Sequence, residues 1–206
     1  QVLLVDSDHQ GNLTSYLIDD EVVDSLLDFS DTAKGQTLWS GLKPVVEALG
    51  APRQIPPIET SELYLLPGDI RLSEFESLLD SFWVECVQRR VRGFRGTAAL
   101  STLVDEAAQK LDADFVFYDA GPNIGPLNRA ILLDCDFFIV PAACDLFSVR
   151  ALKTLGHTLR DWIVQWESIR RLAPDESPLL PGKPRFMGYV PQRFRIYGAS
   201  MSRGHS

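Results

Sequence analysis

The sequence predicts an α/β fold, a doubly wound and mostly parallel sheet with helices on both faces. Five short apolar runs bounded by turn or breaker residues lie along the chain, at Val2–Val5, Leu63–Leu66, Phe115–Tyr118, Phe137–Val140 and Phe186–Val190. They are continuous rather than alternating, as strands buried on both faces are. Helix-period stripes fall between several of them, and strand alternating with helix gives a parallel sheet with right-handed crossovers.

Taken in order, Val2–Val5 runs into Asp6-Ser7-Asp8-His9-Gln10-Gly11, an Asp-x-Asp followed by a Gly turn. Alternation along a strand puts Asp6 and Asp8 on one side. The carboxyl ends of strands in open α/β sheets face the ligand crevice. Residues 20–62 carry weaker signals, with a short helix expected over Ser40–Gly50 and a proline-rich loop at 51–57. In Thr97–Leu111 a stripe runs through Leu100, Leu103, Val104, Ala107 and Leu111. Val149–Leu172 repeats the pattern with Leu152, Leu155, Leu159, Ile163, Trp166 and Ile169. Trp162 and Trp166 share that stripe and read as core packing rather than a base-stacking platform.

The 206 residues fit one domain, 1–206, with a core of real size. A hydrophobic fraction of 45% and a charged fraction of 23% are ordinary for a globular protein. No apolar run reaches the roughly 20 residues that span a bilayer. A net charge of −8 argues against wholesale coating of nucleic acid. Cys86, Cys135 and Cys144 lack metal-ligand spacing, and Cys135 and Cys144, which flank an apolar run, read as buried thiols of a protein in a reducing cytoplasm. His9, His157 and His205 are scattered, which speaks against zinc.

The residues 181–206 change character, with Lys183, Arg185, Arg193, Arg195 and Arg203 and no acid. Two readings stand for them, a solvated or irregular end and a basic surface for DNA or an acidic partner. Arg89, Arg90, Arg92 and Arg95 form a second basic cluster, read as a solvated helix end or loop before a binding patch. Glu74 and Glu76 read as a helix's first turn. No Ser, Cys and His arrangement supports a triad hydrolase.

Three carboxylates hold the chemical interest. Asp-x-Asp alone is weak evidence, because strand-end aspartates also cap the helix that follows. Asp119 repeats the plan, closing Phe115–Tyr118 before Ala120-Gly121-Pro122-Asn123-Ile124-Gly125. An Asp there can hold a water on a nucleotide-bound Mg²⁺, and the loop can bring amides to a phosphate. Magnesium needs only one or two carboxylates beside phosphates.

These segments resemble the ParA/MinD-type P-loop ATPases. "VLLVDSDHQGNLT" looks like the family's first switch, D-x-D-P-Q-G-N, and "LYLLPGDIRLSEFESLL" like its central strand, Pro loop and helix. "FVFYDAGPNIGPLNRAILLDCDFFIVPAACDLFSVRAL" resembles the Walker-B strand, second switch and next strand. The resemblance implies ATP and Mg²⁺ as cofactors and an ATP-bound homodimer. It casts Asp8 as the residue that positions the attacking water, Asp6 and Asp119 as the Mg²⁺ side, and Asp6, Gly121 and Pro122 as nucleotide contacts. Pro191 and Gln192 fall where the family meets the base, and Arg193 and Arg195 where it meets nonspecific DNA. A ParB-like activating partner, plasmid or chromosome partitioning or cargo positioning, and a cytoplasmic place near the nucleoid complete the expectation.

Departures stand beside it. His9 replaces the usual Pro, and Ala120-Gly121 the usual Thr-Pro. The family's K-G-G-V-G-K-[ST] loop belongs some tens of residues before Asp6 and is absent from this sequence, which begins at Gln1 and reads as a fragment. Its lysines and amides supply most phosphate binding, so residues 1–206 alone are expected to bind ATP poorly and hydrolyse none. The alternative is a non-catalytic interaction module that keeps the sheet without the ATP site.

Overall fold

The computed structural model describes residues 1–143, 145–192, 196–197 and 200–201, with the side chains of 146–149 and 196–201 outside the description. In chain order the elements are β1 (Val2–Asp6), α1 (Asn12–Leu17), α2 (Asp20–Phe29), α3 (Leu38–Val46), β2 (Ile58–Glu59), β3 (Tyr64–Leu66), α4 (Leu72–Val87), α5 (Val91–Thr97) and α6 (Ala99–Leu111). They continue with β4 (Phe115–Asp119), α7 (Pro126–Asp134), β5 (Phe137–Ala143), α8 (Leu146–Arg170), β6 (Arg185–Gln192), β7 (Ile196–Tyr197) and β8 (Ser200–Met201). All five apolar runs are strands, but burial on both faces does not hold for β4, β5 and β6, which leave Phe115, Phe117, Phe137, Ile139, Phe186 and Tyr189 exposed. The residues group into two compact units, Gln1–Ile131 with Ile169–Leu180, and Leu132–Ser168 with Pro181 onward.

In the first unit the sheet order is β2-β3-β1-β4, with β3, β1 and β4 parallel and β2 antiparallel at the edge. Leu3 and Val5 face the core with their register partners Val116 and Tyr118, under α3, α4 and α6. The α4 stripe Leu72, Phe75, Leu79, Phe82 and Cys86 is buried at helical spacing, and so are Leu100, Leu103, Val104 and Ala107 of α6. On the opposite face of β4, Phe115 and Phe117 are 63% and 55% exposed.

The arginine cluster lies in the α4–α5 turn and on α5. A Cβ on Gly96 would stand 2.4 Å from the Phe82 ring, so α5 approaches α4 only because a glycine is there. Arg92 pairs with Glu85 and covers Phe82, while Arg89, Arg90 and Arg95 are exposed.

The short helix expected over Ser40–Gly50 starts earlier, at Leu38, because Thr37 forms a capping box with Ser40. Pro44 sits inside it and has no N–H to give Ser40's carbonyl. Arg53 supplies the missing donor. Its guanidinium donates to the Ser40 carbonyl at 3.2 Å and to those of Gly35 and Ala33 at 2.9 and 3.1 Å.

In the second unit β5 and β6 pair in parallel, with a register shift at Phe138/Ile139. The α8 stripe holds, with Leu159 and Trp166 buried and Trp162 half-buried. Cys86 is buried, but Cys135 is only half-buried, which corrects the expectation, since it follows the last turn of α7 rather than lying within a strand. Cys144 lies outside the described residues.

Arg53→Ala is expected to cost about 2 kcal/mol, a fraction of three charge-assisted bonds because the side chain is partly solvated. In a Pro44→Ala background the loss should shrink, since a restored amide serves Ser40. Urea denaturation of both pairs measures the coupling; equal losses would mean that Arg53 does not compensate for the proline.

Candidate functional site

Asp6 and Asp119 end adjacent parallel strands in register, about 4.8 Å apart along the sheet. Ser7 welds the two ends. Its amide donates to the Asp119 carbonyl at 2.9 Å and its hydroxyl to the same oxygen at 2.5 Å. Asp8 begins a turn in which its Oδ1 accepts from the Gln10 amide at 3.1 Å and its carbonyl from Gly11 at 2.9 Å. Gly11, with φ of 64°, takes the left-handed conformation that opens α1.

The loop after Asp119 meets that turn. A Cβ built on Gly121 would lie 3.4 Å from Asp8 Oδ1, so the two sequence motifs share one place. Asn128 fixes the loop, donating to the Gly121 and Asn123 carbonyls at 2.6 Å each. Glu76, read from sequence as a first-turn acid, accepts from the Leu127 amide across the unit at 3.5 Å. Pro122 is exposed in the same loop.

Asp6 is fully buried. Its Oδ2 accepts from Thr14 twice, from the amide at 2.8 Å and the hydroxyl at 2.6 Å, while its Oδ1 is buried without a partner among the described residues. The capping reading of this aspartate is therefore realised on Oδ2, while Oδ1 is left without a donor. Burial pushes its carboxyl above the ordinary range, against the pull of the two Thr14 bonds and with the charges of Asp119 and Asp8 adding to the rise. The Asp119 carboxyl is raised as well, by burial first and by Asp8 second.

An unpartnered carboxylate oxygen of Asp6 near the carboxylates of Asp8 and Asp119 is hard oxygen chemistry and fits Mg²⁺. Among the described residues no three His, Cys, Asp or Glu cluster closely enough to hold a metal by themselves. A cation here would need phosphate oxygens too.

Pro191 and Gln192 end β6 in the second unit, in register with Ala142 and Ala143 of β5. Arg193 and Arg195 lie outside the described residues. Thr14, Gly68 and Asn128 were missed by sequence reasoning. No helix of the described residues is long and apolar enough to cross a membrane.

Residues 1–169 match the AAA_31 family, an AAA domain. Sporulation initiation inhibitor protein Soj of Bacillus subtilis (strain 168) is 27% identical over 166 residues, 78% of this chain and 53% of Soj. The chain belongs to the ParA/MinD-like P-loop ATPase family. It spans about half the length of the curated relative it matches. In structure, this ParA/MinD-like chain superposes on protein DIP2308 of Corynebacterium diphtheriae with a TM-score of 0.80 at 27% identity, over 94% of this chain and 72% of that one. Cobyrinic acid a,c-diamide synthase of Mycobacterium smegmatis, solved with ADP and magnesium, shares the fold at a TM-score of 0.56 and 24% identity, over 93% and 61% of the two chains.

Replacing Asp6 with Asn is expected to stabilise residues 1–206 at neutral pH. A raised folded pKa contributes stability below the unfolded value of 3.8, and that contribution is lost as pH rises through the folded pKa. The advantage of Asp6→Asn should therefore grow as pH climbs from about 4 and level off above the folded pKa. Melting temperatures across that range measure it, and a gain largest at acid pH would reverse the sign assigned here.

Proposed function

We propose that the protein is an ATP-dependent switch that binds and hydrolyses ATP and dimerises with nucleotide bound. The reading is carried by one observation, the meeting of Asp6, Asp8, Asp119 and Gly121 at the ends of β1 and β4. Asp119 and the open oxygen of Asp6 would hold Mg²⁺, whose charge offsets that gathering on the phosphates during transfer. Asp8, anchored through Oδ1 to Gln10, would orient the attacking water. Gly121 and Pro122 would line the phosphate side, while Pro191 and Gln192, at the end of β6 in the second unit, are base contacts by the family resemblance alone. The phosphate loop this reading needs must come from residues outside the present sequence.

Family membership supports a role in partitioning or cargo positioning in the bacterial cytoplasm, with a stimulating partner of the ParB kind. Arg193 and Arg195 are the candidates for nonspecific DNA contact at the nucleoid.

In the intact protein, Asp8→Ala should lower ATP turnover by about 100-fold or more, the scale of a lost acid–base group, while equilibrium ATP binding survives. Unchanged hydrolysis would move the water-positioning role elsewhere. Failure of the unaltered protein to bind ATP would favour the non-catalytic interaction module. For DNA, neutralising Arg193 and Arg195 together should flatten the salt dependence of binding by about two counterions, read from log–log plots of affinity against salt. An unaltered slope would place the DNA surface on other residues.

A further inference from the structure

We propose that Thr14 and Gly68 are positioning residues that hold Asp6 so that Oδ1, and not Oδ2, is offered to the metal–nucleotide complex. The proposal rests on the MgATP reading above and assigns how its metal-side carboxylate is aimed.

A carboxylate at a strand end has two equivalent oxygens and a freely turning χ2. Here that freedom is removed from two directions. Thr14 binds Oδ2 through both its amide and its hydroxyl. The same hydroxyl accepts from the Gly68 amide at 2.9 Å, so its one proton is committed to Asp6 and its lone pair to the β3–α4 loop. Gly68 also packs directly on the carboxylate, where a Cβ would stand 2.9 Å from Asp6 Cγ and 3.0 Å from Oδ2. Any side chain at position 68 must therefore displace the carboxylate. All four groups of this chain are buried, which leaves no water to substitute for the hydroxyl.

A purely structural network would satisfy both oxygens of a buried carboxylate, because an unpaired one is costly. This one saturates Oδ2 and leaves Oδ1 bare. The loop bearing Gly68 is itself pinned, since Thr37 Oγ1 donates to Asp69 Oδ2 at 2.7 Å and the Pro67 carbonyl accepts from Leu38 at 2.9 Å. The aim of Asp6 is thus referred to the packed start of α3 rather than to a free loop.

The test uses the intact protein, with ATP and Mg²⁺ as probes and the variants Asp6→Asn, Thr14→Val, Thr14→Ser and Gly68→Ala. Two readouts are followed against Mg²⁺ concentration, ATP turnover and equilibrium binding of a fluorescent ATP analogue. Outer partners of metal ligands typically change metal affinity about 10–100-fold. Thr14→Val and Gly68→Ala should raise the Mg²⁺ concentration for half-maximal effect by that factor, with nucleotide binding in the absence of Mg²⁺ little altered. Thr14→Ser, which keeps the hydroxyl, should remain within about threefold of the unaltered protein on the same scale. Val45→Ala, a core change far from the carboxylates in the chain, controls for lost stability.

If Asp6→Asn raises the Mg²⁺ requirement but Thr14→Val does not, or if Val45→Ala raises it equally, the positioning role is wrong while the MgATP reading stands. If the unaltered protein shows no Mg²⁺-dependent nucleotide binding, the reading fails and this assignment falls with it.

Discussion

Two carboxylates held in register at the ends of neighbouring strands set the terms for the first unit. Asp6 and Asp119 repel each other, and Asp6 is out of water as well, so nothing in their own chemistry brings them together. The backbone ladder of β1 and β4 does it, closed by the paired bonds of Ser7 to Asp119. Sheet burial under α3, α4 and α6 supplies the free energy that keeps the repulsive pair in place. Around them the polar groups are organised to relieve one oxygen of Asp6 and leave the other buried without a donor.

That arrangement sets stability against the proposed function at this point. A neutral side chain at position 6 would relax the sheet end, yet it would remove the one oxygen that the surrounding donors leave open. Strain of this kind persists only when neighbouring structure over-determines it. Thr14, Gly68 and Asn128 are the neighbours that do so, each locking a group that borders the carboxylates.

Much of this was legible in the sequence, for reasons that can be named. Continuous apolar runs mark strands, so β1, β3, β4, β5 and β6 were all visible, although the runs overstated the burial of β4, β5 and β6, and the helical stripes of α6 and α8 followed from period alone. Strand-end aspartates are local features and could be read as such. The helices α1 and α2 were not visible, because α1 is only six residues long and α2 carries four acids among its ten residues and buries only Leu26. Two-residue β2 exists only through its pairing with β3. The cradle of Asp6 was hidden for a different reason. Gly68 and Thr14 are 54 positions apart, and their meeting depends on β1 and β3 being neighbours in the sheet, which no local pattern reveals.

Pro44 and Arg53 carry an implication for how this sequence could have arisen. A proline entering α3 first would have stranded the Ser40 carbonyl and weakened the helix, whereas an arginine at 53 could arrive harmlessly and bind the neighbouring carbonyls of Ala33 and Gly35. The permissive order is therefore arginine, then proline. Once both are present neither reverts with equal ease, and the loop at 51–57 becomes tied to the helix it follows. A surface residue in a proline-rich stretch is in this way entrenched by history rather than by any part in the chemistry.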